Sequence, residues 1–435
     1  MIVKSLLLYL IFVFAQDPNC VLTNLAGSNI GSSGYVDGFG TSALFTSLGG
    51  VAVDNNGTVF VSDIQGMRKL RRINSTGSVS SPTMPGQVIP WTVAMTQSAG
   101  RQLVVTTGWD MHTVYGTWVS TMVSFRICGN SWQILTPPPW SCVSDNAFYR
   151  PNSAVTPRNG GPVYVICQTG YIKVFGGIGA PFTGSVTPFV GGGPQTGTLP
   201  YTDGVGTNAR IGGGVSGMAI TDDGDTLYFA DTHYIRRVAT ATAMVTTLAG
   251  CGQGMYAPGA GFSACFNFPS SWNMLGMLVT PRWGLLIPDW GNGCLRSLAL
   301  DGTARTNVVA GQCGILGNTL GPATSALMNA PLSVAQVNGS AGTSIIITDA
   351  SFSVKLLSCP TSLLFQKLPT VFEVMEDHCE SISIPEGFEL LASSDECINE
   401  AMQHKEKKIY GLQFHSEVSG NFGRVIIENF VNFAD

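Results

Sequence analysis

Apolar and polar positions fall into short runs separated by turn residues, and the stretch 203–250 shows the pattern most fully. A Gly-rich loop beginning at Asp203 leads into an apolar run at Met218–Thr221, and Asp222-Asp223-Gly224 then reads as a tight turn. Gly supplies the positive φ that such a turn needs. Thr226–Asp231, Tyr234–Val238 and Val245–Ala249 follow as three further runs of strand length. The same order occurs at Asp37–Val79, with DGFGTSALF, GVAVD, NNG, TVFVSD and RKLRRI in succession. A repeat of this size predicts an array of like units.

Six such units can be counted. Their first strands are predicted at Gly50–Asp54, Thr92–Thr96, Ser153–Thr156, Met218–Thr221, Leu275–Thr280 and Ser333–Val337. Second strands are predicted at Val59–Asp63, Gln102–Thr107, Pro162–Cys167, Leu227–Asp231, Leu285–Asp289 and Ser344–Asp349. They are rich in β-branched residues and nearly all apolar, as strands buried on both faces should be. Third strands follow at Lys69–Ile73, Met122–Ile127, Tyr171–Phe175, Tyr234–Val238, Leu295–Leu300 and Ser353–Leu357. The ends complement each other. Val21–Ala26 reads as a fourth strand with no unit ahead of it, and 333–357 supplies three strands without a fourth. Joining them closes a ring and removes both exposed edges. Cys20 and Cys359 flank the two pieces, so a disulfide locking the closure is expected.

The residues that recur are Asp37-Gly38, Ala43, Gly50–Asp54, Val59–Asp63 and Leu70–Ile73, and again Asp203-Gly204, Ala209, Gly217–Thr221, Leu227–Asp231, Ile235–Val238 and Leu248-Ala249-Gly250. They resemble the NHL repeat of β-propellers over roughly residues 20–359. The resemblance implies a mainly β fold, a six-bladed β-propeller. It implies no ligand, because propellers serve many functions.

Composition narrows the class. A chain of 435 residues calls for one large repeat domain or two domains. Charged residues are 11% and Gly numbers 53, which suits many short strands and turns and does not suit disorder. The net charge of −5 argues against a general nucleic-acid surface. Met1–Ala15 carries one Lys and an apolar run from Leu6 to Phe14, and reads as a secretory signal cleaved after Ala15. The other reading is a membrane anchor, for which the run is short. No other run is long enough to cross a bilayer. Export would place the eleven cysteines in an oxidising compartment. Spacing suggests the local pairs Cys128–Cys142 and Cys251–Cys265, while the connectivity stays open. Asn-x-Ser/Thr sites stand at Asn56, Asn74 and Asn338, each at an expected turn.

Composition then changes abruptly. Residues 1–372 hold no Glu and the last 63 hold ten; from Thr361 onward there are 13 acidic and 5 basic residues. A boundary is therefore expected near Cys359–Leu368. Beyond it Asp395–Lys405 reads as a helix, Lys408–Phe414 as a strand and Val425–Phe433 as a second helix. The markers Asp377-His378, Pro385-Glu386-Gly387-Phe388, Ala392-Ser393-Ser394 and Tyr410-Gly411-Leu412-Gln413-Phe414-His415-Ser416-Glu417-Val418 resemble the C-terminal end of a class I glutamine amidotransferase, most nearly the glutaminase component of GMP synthase. The organisation expected is thus a signal at 1–15, a propeller at 20–359 and, at 368–435, a short α/β remnant of an amidotransferase domain.

In that family a Cys thiolate attacks the glutamine amide, a His moves protons and a Glu orients the His. The resemblance puts His415 and Glu417 in the last two roles, with Ser416 where the family usually has Pro. Spacing i, i+2 beyond a strand end sets both side chains on one side. The nucleophile's Gly-x-Cys-x-Gly elbow has no counterpart; Cys167 in VYVICQTG is the nearest, with Val165 and Thr169 at the Gly positions. Without nucleophile and oxyanion donors most of the rate enhancement is lost, so no glutaminase activity is expected.

Other candidates read as structural. Asp63 with Arg71 and Arg72, and Asp231 with Arg236 and Arg237, suggest catalysis, but a buried pair tying adjacent blades is the simpler reading. Asp37-Gly38 and Asp203-Gly204 resemble half a calcium loop and suit turns better. Ahead of the tail there are only His112 and His233, too few for a three-His metal site. No metal and no cofactor is expected. Trp109, Trp118, Trp140, Trp272 and Trp290 could line a binding face or pack between blades. Two functions compete: a secreted propeller binding a protein or small ligand on one face of the ring, and a glutamine amidotransferase supplying ammonia for GMP synthesis.

Overall fold

The computed structural model describes residues 9–14, 20–82 (without 55, 67 and 68), 90–96, 102–107, 110–112, 117–119, 122–128, 131–134, 151–157, 161–167, 170–175, 187–192, 201–212, 215–268, 276–337, 343–359, 371–376, 383–392, 400–404, 407 and 409–434. The chain forms a β-propeller followed by a small α/β tail. Each blade is an antiparallel meander with the first strand innermost, and in four of them a two-residue strand (Gly38–Phe39, Gly204–Val205, Gly259–Ala260 or Gly321–Pro322) pairs outside the fourth.

The 48–80 blade holds Leu48–Val53, Val59–Asp63, Lys69–Ile73 and Ser78–Ser80. The 151–190 blade holds Pro151–Val155, Val163–Cys167, Tyr171–Phe175 and Thr187–Val190. Val215–Ile220, Thr226–Asp231, Tyr234–Ala239 and Met244–Ala249 make the 215–249 blade. Leu278–Thr280, Gly284–Asp289, Cys294–Leu298 and Arg305–Ala310 make the 278–310 blade. The 331–359 blade takes Pro331–Val337, Thr343–Asp349 and Ser353–Cys359 from late in the chain and its fourth strand, Val21–Gly27, from the beginning. The second-strand boundaries read from sequence match to within a residue.

The expectation of six like blades is corrected to these five. Between the 48–80 and 151–190 blades the chain forms a four-stranded sheet, Pro90–Thr96, Gln102–Thr107, Met122–Cys128 and Ser131–Ile134, described mainly in its backbone. Its first strand lies against Leu48–Val53 on one side and Pro151–Val155 on the other. It lacks the residues that make the five alike. Thr107 stands where four blades end their second strand in Asp, and Val123 where they carry Arg or Lys.

The core sits between blades, because a second strand buried on both faces needs an apolar neighbour on each side. One cluster joins Ala26, Val354 and Ile346 of the 331–359 blade to Phe45, Val51 and Val61 of the 48–80 blade. Another packs Leu286 and Leu295 against Leu22, Ile345 and Leu357. Two more join the 215–249 blade to its neighbours on either side.

Ring closure is as the sequence predicts. Val21–Gly27 pairs antiparallel with Ser353–Cys359, Leu22 opposite Leu357, and Cys20 is disulfide-bonded to Cys359. Cys251 is bonded to Cys265, also as expected, and Cys294 to Cys313, which spacing did not single out. The pair Cys128–Cys142 involves a residue outside the described ones.

In the tail, Phe388–Ala392, Ala401–His404 and Tyr410–Leu412 form a three-stranded sheet, followed by a 3-10 turn at Ser416–Val418 and the helix Gly420–Ala434. The helix expected at Asp395–Lys405 is a correction: its described part, Ala401–His404, is the central strand of that sheet. Pairing on both edges outweighs a local helical preference worth tenths of a kcal/mol per residue, about 0.7 at most. Residues Tyr9–Phe14 lie antiparallel to Val371–Glu376. Among the described residues no helix is long and apolar enough to cross a membrane.

Candidate functional site

The Asp–Arg pairs resolve first, and they are latches. Arg71 Nη1 donates to Asp63 Oδ2 at 3.1 Å, with both side chains fully buried. Its other arm reaches Asp37 Oδ1 at 2.9 Å and the Val36 carbonyl at 2.9 Å. Arg236 repeats this with Asp231 at 2.8 Å, Asp203 at 3.1 Å and the carbonyls of Arg210 and Thr202. Arg296 does so with Asp289 at 3.3 Å and the carbonyls of Cys265 and Ala257. In the 331–359 blade Lys355 lies 3.4 Å from Asp349 and donates to Asn318 at 2.7 Å. The carboxylates also accept from the lead-in loop, as when Asp231 takes the Gly212 N–H at 2.9 Å.

Each pair therefore lies within one blade. It clamps the loop that enters that blade, which corrects the expectation of a tie between adjacent blades. The loop carries the next blade contact: Phe45 follows the bridge Val36–Leu44 and packs against Ala26 and Val354. Burial pushes the carboxyls of Asp231, Asp289 and Asp349 up and the Lys355 ammonium down. Arg72 and Arg237, the neighbours in sequence, are exposed. The 151–190 blade keeps a cation at the same place, Lys173, with Cys167 at the Asp position.

The first strands surround an axial channel of about 280 Å³. Pairing with the second strands sets which residues share a level. Two residues before the second-strand end, the partners are Val51, Val93, Ala154, Met218 and Val334, and Met277 directly precedes Leu278, the partner of Leu286. The next level is Ala52, Val155, Ala219, Leu278 and Ala335, and the next Val53, Thr156, Ile220, Val279 and Gln336. Beyond it the wall ends at Asp222 and Pro281. On the opposite side stand Ser153, Gly276 and Ser333, next to the β-bulges of their strands in two cases. There the strands of different blades touch: Gly276 bridges Ser333, Met277 N–H donates to the Met218 carbonyl at 3.2 Å, and Val51 N–H donates to Ser333 Oγ at 3.4 Å. A Cβ on Gly276 would stand 2.4 Å from Ser333 Oγ, so only Gly permits this approach.

Two polar features mark the wall. Thr156 is 8% exposed and its hydroxyl has no hydrogen-bond partner. Asp222 is the one ionisable side chain among the described lining residues. Sequence reasoning placed a site on a face of the ring and missed the channel, because depth in a channel is set by register between sheets and not by any run of the sequence. Of the five Trp residues considered, the described side chain is Trp290, packed partly buried against the core between the 48–80 and 331–359 blades. Among the described residues no group of His, Cys, Asp and Glu could hold a metal ion.

In the tail, His415 follows the strand Tyr410–Leu412 and Glu417 sits in the 3-10 turn. His415 Nδ1 and Glu417 Oε1 are 2.7 Å apart, with side chains 43% and 63% exposed. The hydrogen bond to His415 lowers the Glu417 pKa. Phe414 is buried, and Ser419 Oγ donates to the His415 carbonyl, so the imidazole's backbone is held. No described cysteine joins the pair. Six are in disulfides, and Cys167 is fully buried in a propeller strand. Cys379 and Cys397 lie outside the described residues.

Comparison with known proteins bears on each half separately. The family pattern "Glutamine amidotransferase class-I" matches residues 335–433, so its first residues overlap the last blade. A glutamine-hydrolyzing GMP synthase component of Methanocaldococcus jannaschii is 48% identical over 69 residues, 15% of this chain and 37% of that protein. Its counterpart in Methanococcus maripaludis is 44% identical over 80 residues, 18% of this chain and 42% of that one. The chain thus spans well under half the length of these relatives. Among solved structures, an auxiliary nutrient binding protein from Bacteroides thetaiotaomicron superposes with a TM-score of 0.56 at 16% identity, covering 78% of this chain and 76% of that one. A likeness at that identity shows the propeller fold.

Proposed function

We propose that this chain is an exported propeller that binds a small ligand in its axial channel, and that its tail does not hydrolyse glutamine. The observation that carries the reading is the channel: a concave space walled by the innermost strands, with the Thr156 hydroxyl, Gln336 and Asp222 in its lining, and concave sites are where small molecules usually bind. The propeller supplies rigidity, since the walls are the innermost strands of clamped blades. Three disulfides, the leader segment and the turns at Asn56 and Asn74 support export and glycosylation. The nutrient-binding neighbour is compatible with a binding role and lends no ligand.

Export is tested by expressing the whole gene in a secreting eukaryotic host and sequencing the product's N-terminus. A chain in the medium beginning at Gln16, with a glycan on Asn74, is expected. An unprocessed chain retained in the cytosol would sink that half of the reading.

A second reading has one observation in its favour, the 2.7 Å His415–Glu417 contact in a segment similar to the glutamine-hydrolyzing part of GMP synthases. Among the described residues the pair has no thiolate to serve, and the sequence lacks the Gly-x-Cys-x-Gly elbow that would present one. Incubating the purified chain with glutamine should release no ammonia above background. Ammonia release that disappears in His415→Ala would establish the second reading instead.

A further inference from the structure

We propose that one face of the ring is the interface of a two-fold dimer, with a second copy of this chain as the partner. The two faces differ by topology. In an antiparallel meander the turns after the first and third strands lie at one end, and the turn after the second strand and the loop into the next blade lie at the other. Asn56 falls between Val53 and Val59, and Asn74 between Ile73 and Ser78, so both glycosylation sequons stand on the first face. In sequence Asn338 directly follows the first strand Pro331–Val337. The exposed carboxylates Asp222, Asp223, Asp225 and Asp301 belong to turns of the same face. Cys20 precedes a fourth strand and Cys359 ends a third, so the chain also enters and leaves the propeller there.

The second face presents a different surface over three consecutive blades. The segments 18–36, 250–281 and 306–348 contain no Asp, Glu, Lys, Arg or His, and they include the loops into the 48–80, 278–310 and 331–359 blades. Those loops hold aliphatic side chains in water: Ile30 is 88% exposed, and Met255, Ile315 and Leu316 are 46%, 51% and 54% exposed. They form one arc. Asn292 Nδ2 donates to the Met255 carbonyl at 3.2 Å, the Gly314 N–H donates to the Asn292 carbonyl at 2.8 Å, and Asn318 Nδ2 donates to the Asn29 carbonyl at 3.0 Å. The arc is rigid, because Arg296 holds Ala257, Lys355 holds Asn318, Arg71 holds Val36, and two disulfides tie Cys251 to Cys265 and Cys294 to Cys313. An exposed apolar surface on a rigid support marks an interaction site.

Charge selects the occupant. A nucleic acid or an anionic lipid surface needs Lys or Arg, which these loops lack. A two-fold contact sets a surface against itself, so it excludes a face with charges of one sign and permits an uncharged one. The arc runs Met255, Ile315 and Leu316, Ile30. A two-fold axis at Leu316 therefore brings that residue against its own copy and sets Met255 of each chain against Ile30 of the other. The sequons, the carboxylates and both chain ends then point away from the seam.

The test is sedimentation equilibrium of the full-length chain over a concentration series. A monomer–dimer equilibrium is expected. Leu316→Asp faces two carboxylates across the axis and should weaken it by about a hundredfold or more. Ile30→Asp, at a position too exposed to disturb folding, should weaken it by about tenfold, and adding Met255→Lys should recover most of that loss because the new charges meet between chains. Val308→Asp, exposed on a fourth strand away from this face, should leave the dimer unchanged.

A chain that stays monomeric throughout would overturn the proposal. A dimer that survives both Leu316→Asp and Ile30→Asp, or is lost equally in Val308→Asp, would overturn the choice of face. Loss in Ile30→Asp without recovery by Met255→Lys would overturn the two-fold pairing. A monomer that sediments with phosphatidylcholine vesicles, and no longer does so as Leu316→Asp, would show a lipid surface in place of a second copy.

Discussion

A single position in the third strand decides whether a loop is held. Arg236 and Arg237 are adjacent and chemically identical, yet one is buried with two carboxylates and two carbonyls and the other is exposed. Strand alternation makes the difference, because neighbours in a strand point to opposite faces. Removing one partner of a buried pair leaves an uncompensated charge, costing about 3–5 kcal/mol. Arg236→Ala should therefore lower unfolding stability by that order in urea melts, while Arg237→Ala should change it by less than about 0.5 kcal/mol. Equal effects would mean that the guanidinium is not the clamp. The Asp and Arg residues were legible in the sequence as pairs. Their partners in the lead-in loop were not, since backbone carbonyls carry no mark in a sequence.

At the scale of elements, the fourth strand of the last blade comes from the opposite end of the chain. Leu22 and Ala26 are fully buried by that pairing, and Cys20–Cys359 spans 339 residues of sequence. A crosslink over so long a loop removes much unfolded-chain entropy, and typical losses on deleting a native disulfide are about 2–5 kcal/mol. Cys20→Ser with Cys359→Ser should therefore cost more than Cys294→Ser with Cys313→Ser, whose bond spans 19 residues. Thermal melts of both double variants check the order; the reverse order would mean that the ring is not held by its seam. The tail shows where element reading failed. Ala401–His404 has residues of fair helical preference, and it is a strand because Phe388–Ala392 and Tyr410–Leu412 flank it.

The whole molecule joins two units of different composition, a propeller whose carboxylates are all Asp and a Glu-rich tail. The tail matches 37% and 42% of the length of the two relatives. The blades, by contrast, close on themselves through the Val21–Gly27 strand without using any residue beyond Cys359. A chain ending at Thr361 is therefore expected to melt at the same temperature as the whole, within a few degrees, by circular dichroism. A truncated chain that fails to fold would show that the tail is part of the propeller's stability and not an addition to it.

The repeat, its strand order, the seam and the ring disulfide could all be read from sequence, because each is a matter of period, alternation and chain ends. So could the His415–Glu417 spacing and the missing elbow. The second blade position resisted, because its strands keep the period without Asp at the end or Arg opposite. What only the folded chain decided is the channel. Its wall is one short strand from each of several distant segments, and depth in a channel depends on register between sheets, which no local pattern encodes. Thr156 became a candidate in the same way: an unpaired hydroxyl exists only once everything around it has been placed.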